Sequence, residues 1–221
     1  MNKKIAVSLL NVENSKRGIL TNTLLKNGVN WVHYDIMDGV FVPNLAISLE
    51  EVKENISKTN KHFVDIHLMV SSPERYIEMF KKIADLCTFH YETDFYEEIE
   101  EILSRYQNST FKLGLAIKPK TNIEQIYGLL KYLDVVLIMS VEPGKGGQKF
   151  QESSLLKINK LRNYIDRRNI DTLIEVDGGI TDVTGPKCIK AGADILVSGS
   201  YLCNNTNKEK IKILKKKGLS Y

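Results

Sequence analysis

The chain has 221 residues, 43% of them hydrophobic and 26% charged, a balance that excludes a disordered, fibrous or collagen-like protein. Lys plus Arg (31) barely exceeds Asp plus Glu (27), and a net charge of +4 is too weak to indicate nucleic acid. No apolar run reaches the ~18 residues that span a bilayer, which argues against a membrane partner.

In chain order, the first apolar run is Ile5–Leu10, which follows Lys3-Lys4. It faintly resembles a signal peptide, but it stops at Asn11 and no small-residue cleavage site follows, so it reads as a strand. Further strands are expected at Trp31–Ile36, Phe63–Val70, Leu86–His90, Lys112–Ile117, Val135–Ser140, Thr172–Val176 and Asp194–Val197. Between them, helical periodicity covers 15–27, 49–57, 73–84, 95–106, 122–132, 151–168 and 182–191, and a last helix is expected at Lys208–Lys217. Ser72 before Pro73, and Thr121 before Asn122 with Glu124 beyond, look like helix starts. Eight β-α units without a linker predict one α/β domain over residues 1–221, a (β/α)8 TIM barrel, with a doubly wound sheet as the alternative. Neither GxGxxG nor GxxxxGK[ST] occurs, which weakens a nucleotide-binding reading. The three cysteines Cys87, Cys188 and Cys203 are an odd number without CxxC spacing, pointing to reduced thiols and a cytoplasmic protein.

Strand residues two apart share a face. His33, Asp35 and Met37 therefore lie on one face of the second strand, and Asp65, His67 and Met69 on one face of the third. Asp177 closes the seventh. In a barrel, chemistry sits at the C-terminal ends of the strands. Two readings of His33, Asp35, His67 and Asp177 stand side by side at this point. They are hydrogen-bonded strand ends, or together they bind one divalent ion of the Zn²⁺, Fe²⁺, Mn²⁺ or Co²⁺ type. Met37, Met69 and Met139 are core filler or the apolar wall of such a site. His90 reads as a satisfied structural histidine, His62 as a strand start, and Cys87 as packing in the fourth strand. Lys208, Lys210, Lys212, Lys215, Lys216 and Lys217 read as a solvated terminal helix. Glycine-rich turns after the last three strands (Gly144-Lys145-Gly146-Gly147, Gly178-Gly179 and Ser198-Gly199-Ser200) suit a phosphate, because bare backbone N–H groups can approach an anion there.

At these residues the chain resembles the ribulose-phosphate 3-epimerase family. The resemblance runs through His33-Tyr34-Asp35-Ile36-Met37-Asp38-Gly39-Val40-Phe41-Val42-Pro43-Asn44, Asp65-Ile66-His67-Leu68-Met69-Val70, Met139-Ser140-Val141-Glu142-Pro143-Gly144, Gly146-Gly147-Gln148, Val176-Asp177-Gly178-Gly179 and Ser198-Gly199-Ser200. It implies a barrel of the ribulose-phosphate-binding type that interconverts D-ribulose 5-phosphate and D-xylulose 5-phosphate, and a homo-oligomer. By motif position, it implies that His33, Asp35, His67 and Asp177 hold one divalent ion per chain. It makes Asp35 and Asp177 the acid/base pair, and it makes Ser8, His67, Gly146, Gly147, Gly178, Gly179, Gly199 and Ser200 contacts to the ketose phosphate. The chain departs from the family pattern at Val7, at Asn11-Val12-Glu13-Asn14, at Ala46-Ile47-Ser48 and at Lys145. The rival readings are a 3-epimerase for a six-carbon ketose phosphate, a phosphosugar decarboxylase and a non-catalytic phosphosugar binder. Asp35-Ile36-Met37-Asp38 lacks the lysine of the decarboxylase pattern Asp-x-Lys-x-x-Asp, and a mere binder has no need of four metal-type side chains.

Overall fold

The computed structural model describes residues 3–93, 96–204 and 207–214. Its strands are β1 (Lys4–Ser8), β2 (Trp31–Met37), β3 (Phe63–Met69), β4 (Leu86–His90), β5 (Lys112–Ile117), β6 (Val135–Met139), β7 (Leu173–Asp177) and β8 (Ile195–Ser198). Each pairs in parallel with the next, and β8 returns to β1 from Lys4↔Ile195 to Val7↔Ser198. This closed order is a (β/α)8 barrel and excludes a doubly wound sheet. The helices are α1 (Asn14–Lys26), α2 (Leu49–Ser57), α3 (Pro73–Phe80), α4 (Tyr96–Tyr106), α5 (Ser153–Arg168), α6 (Thr184–Ala191), α7 (Ser200–Cys203) and α8 (Lys208–Leu214). No helix among the described residues is long and apolar enough to cross a membrane.

The barrel interior is stacked in layers, as the period-2 side-chain alternation of parallel strands requires. Ala6, Trp31, Leu86, Val135 and Ile195 form an apolar plug inside the barrel, joined by Val197, which pairs with Asp177 and reaches the mouth. Above the plug the β2–β3 register sets His33 beside Asp65, Asp35 beside His67, and Met37 beside Met69. On the far side, β6 and β7 set Leu137 beside Glu175 and Met139 beside Asp177. The polar layers thus lie between an apolar floor and a methionine rim. Outside the barrel, a large apolar core joins the strands to the surrounding helices.

Several boundaries differ from the sequence reading. Strand β1 ends at Ser8 rather than Leu10, because the Leu10 N–H turns back to the Ser8 hydroxyl at 3.3 Å. The expected α-helix at 122–132 is a 3₁₀ helix, Ile123–Tyr132. Its buried residues are Ile123, Ile126, Leu129 and Leu130, a pattern that serves both a 3₁₀ and an α period, so periodicity alone did not separate them. No side chain caps that segment; the Thr121 hydroxyl instead donates to Glu92. Ser72 makes no cap bond either, although Pro73 does open α3. The short 3₁₀ turn Tyr91–Thr93 and helix α7 were not anticipated. Phe95, and Lys215, Lys216 and Lys217 of the expected terminal helix, lie outside the described residues.

Candidate active site

At the C-terminal mouth of the barrel is a cavity of about 230 Å³. Its lining includes Ser8, Asp35, Met37, Met69, Met139, Gly144, Gly146, Gly147, Asp177, Gly178, Gly179, Gly199 and Ser200. The glycine turns after β6, β7 and β8 therefore meet in one place. The turn after β7 needs its glycines. Gly179 has φ +61°, and a Cβ there would lie 2.5 Å from the Phe150 backbone nitrogen. Ser140 at the end of β6 fixes this turn, its N–H donating to the Asp177 carbonyl at 2.8 Å. Its hydroxyl lies 2.7 and 2.6 Å from the Asp177 and Gly178 carbonyls. Lys145, in the turn after β6, is exposed. Asn11, Gln148 and Thr181 also line the cavity and were not among the site residues expected from the sequence: Gln148 ends the motif Gly146-Gly147-Gln148, Asn11 lies in a segment that departs from the family pattern, and Thr181 lies just beyond Gly178-Gly179.

Below the methionine rim, His33, Asp35, His67 and Asp177 each offer an atom to one cluster, all within 4.8 Å of one another. The two histidines are fully buried and do not line the cavity; Asp177 is half-buried. The His33 Nδ1–H donates to Asp65 Oδ2 at 2.6 Å, which turns His33 Nε2 toward the cluster as an acceptor. His67 Nδ1 lies 3.2 Å from both His33 Nε2 and Asp35 Oδ1, and those two atoms are 3.5 Å apart. The second Asp35 oxygen accepts from the Ser8 hydroxyl at 2.7 Å, so Ser8, expected to touch substrate, here holds Asp35.

Lone pairs that converge like this repel unless something positive lies between them. A four-coordinate ion with N and O ligands sets neighbouring donor atoms roughly 3.3 Å apart, close to the spacings observed. The donor set therefore fits a divalent metal of the borderline class. Without one, a proton takes its place. Burial alone would lower the His33 pKa, but the Asp65 and Asp35 carboxylates outweigh it and raise it well above the usual histidine range. Burial would likewise raise Asp35, yet the charge of His33 holds it well below the carboxylate range. Burial, reinforced by the Asp35 charge against the pull of His33, pushes Asp177 up to about 6. One layer deeper, burial and the charge of the neighbouring Asp65 push Glu175 well above its usual value.

Metal uptake should therefore release protons. The ion displaces the His33 proton near pH 7, and below about pH 6 it must displace the Asp177 proton as well. Protons compete with the ion, so affinity should rise about tenfold per pH unit near neutrality, and more steeply below about 6. Titrating metal-free protein with Zn²⁺ across this range would show it. A flat response would mean that the two groups do not bind the ion.

The chain matches the family model described as the ribulose-phosphate 3 epimerase family over residues 4–203. It belongs to the ribulose-phosphate 3-epimerase family. Ribulose-phosphate 3-epimerase of Schizosaccharomyces pombe is 40% identical over 211 residues, 94% of this chain and 90% of that one. The Bacillus subtilis protein of the same name is 35% identical, covering 94% and 95%. The chain is thus an enzyme of the epimerase class. Among solved structures, a 3-hexulose-6-phosphate synthase superposes with TM-score 0.70 at 17% identity, covering 96% of this chain and 98% of the other. Orotidine 5'-monophosphate decarboxylase from Sulfolobus solfataricus gives 0.64 at 9%, covering 96% of each chain. At such identities the likeness is one of fold alone.

Proposed function

We propose that this epimerase interconverts D-ribulose 5-phosphate and D-xylulose 5-phosphate by two-base proton transfer at C3 through an enediolate. The observation that carries the reading is the meeting of two carboxylates, Asp35 from β2 and Asp177 from β7, at one donor cluster under the cavity, in a chain of this family. The C3 proton is acidified by the adjacent C2 ketone. A divalent ion held by His33, Asp35, His67 and Asp177 would stabilise the negative charge that develops on the sugar oxygens.

The chain's own side chains do the rest. Asp35, held ionised, takes the C3 proton of ribulose 5-phosphate. In the substrate complex Asp177, across the cluster, carries the second proton and gives it to the opposite face of the same carbon. The turnover leaves Asp35 protonated and Asp177 ionised, the state that the reverse reaction needs. Met37, Met69 and Met139 exclude water while offering no competing proton. The turns at Gly146-Gly147, Gly178-Gly179 and Gly199-Ser200 hold the phosphate and so fix C3 between the two acids.

The direct test is turnover by the metal-loaded protein on ribulose 5-phosphate beside allulose 6-phosphate. The proposal expects kcat/KM to favour the pentulose; a preference for the hexulose would reassign the substrate and leave the chemistry intact.

A further inference from the structure

His90 closes β4, and both of its ring nitrogens are engaged although the residue is fully buried. Its Nε2 lies 2.9 Å from His67 Nε2, and its Nδ1 lies 3.2 Å from Glu92 Oε2. Counting donors gives this line of contacts a direction. Glu92 Oε1 accepts from the Lys118 backbone N–H at 2.7 Å and from the Thr121 hydroxyl. A carboxylate with donors on one oxygen has only acceptance to offer at the other, so the His90 Nδ1–H donates to it. A neutral imidazole with its proton on Nδ1 accepts at Nε2. His67 must therefore supply the proton between the two Nε2 atoms. Its Nδ1 is left bare, and that is the atom facing Asp35 and His33. Phe41 covers His90, with ring centroids 4.9 Å apart.

We propose that Glu92 and His90 are positioning residues that fix the Nε2–H tautomer of His67 and so present its Nδ1 lone pair to the divalent ion. The inference rests on the metal reading of the site. Each ligand imidazole then has its own carboxylate: Asp65 bonds His33 directly, while Glu92 acts on His67 through a second imidazole. Such outer partners set which nitrogen of a histidine is free to ligate.

The test uses ¹⁵N-labelled, metal-free protein, in which long-range ¹⁵N–¹H spectra distinguish histidine tautomers. The wild type should show His67 protonated at Nε2. Glu92→Gln is nearly isosteric. Its amide oxygen still accepts from Lys118 and Thr121, but its NH₂ now donates to His90 Nδ1. His90 must then carry its proton on Nε2, and His67 must move its own to Nδ1. The variant should keep its circular dichroism spectrum, show the reversed His67 tautomer and bind Zn²⁺ roughly 10- to 100-fold more weakly in chelator competition. His90→Gln, which still offers an acceptor to His67, should retain affinity that His90→Leu loses. A wild-type His67 protonated at Nδ1, or a Glu92→Gln protein with unchanged tautomer and affinity, would overturn the relay. A wild-type protein that binds no Zn²⁺ overturns the metal reading and the relay's purpose with it, and the spectra report the tautomer separately.

Discussion

Asp177→Asn should abolish net epimerisation, a loss on the order of the 10²–10⁴-fold that a positioned acid or base contributes, while leaving half of the reaction visible. Asparagine keeps a polar oxygen near the donor cluster but can neither give nor take the C3 proton. Asp35, held ionised beside His33, keeps its competence. Ribulose 5-phosphate in D₂O should therefore still exchange its C3 hydrogen in a variant shown by metal analysis to be loaded. Xylulose 5-phosphate, whose proton faces residue 177, should not. Asp35→Asn should show the opposite preference. Equal exchange of both epimers by either loaded variant would rule out two face-specific bases.

His33→Ala and His67→Ala should each take the protein from one divalent ion per chain toward none, and turnover should fall with it. Both imidazoles are fully buried, and each supplies one of the lone pairs that converge on the cluster. Truncation leaves Asp35 and Asp177 without the donors that balance them, in a space too enclosed for bulk water to compensate. The fall in affinity should exceed the roughly 10- to 100-fold cost of losing an outer partner. Excess metal should restore part of the activity of His67→Ala. Unchanged metal stoichiometry in both variants would refute the site.

The strands were legible because their β-branched runs are short and sharply bounded, and eight of them fit one closed barrel. The site was legible where alternation alone decides: His33, Asp35 and Met37 on one strand, Asp65, His67 and Met69 on the next. What alternation cannot give is depth. Asp65 and Glu175 sit on the same inward faces, and only the register between neighbouring strands shows that they lie one layer below the cavity. His90 was read as a satisfied structural histidine. It is hydrogen-bonded, to Glu92 nearby in the chain and to His67 across a strand boundary that spacing along the chain does not encode. The 3₁₀ segment Ile123–Tyr132 was misassigned because its three-residue period overlaps the helical pattern over so short a stretch.

The four candidate ligands lie beneath the cavity at the barrel mouth, and of these only Asp35 and Asp177 reach its surface. Under the proposed function, an ion seated there would enter and leave through the same doorway as the substrate, and loading would have a compulsory order: ion first in and last out. A bound sugar phosphate would then be a cork. Chelators should compete with substrate for the entrance although they never share a binding group, and the enzyme should be best protected from losing its ion while it is at work.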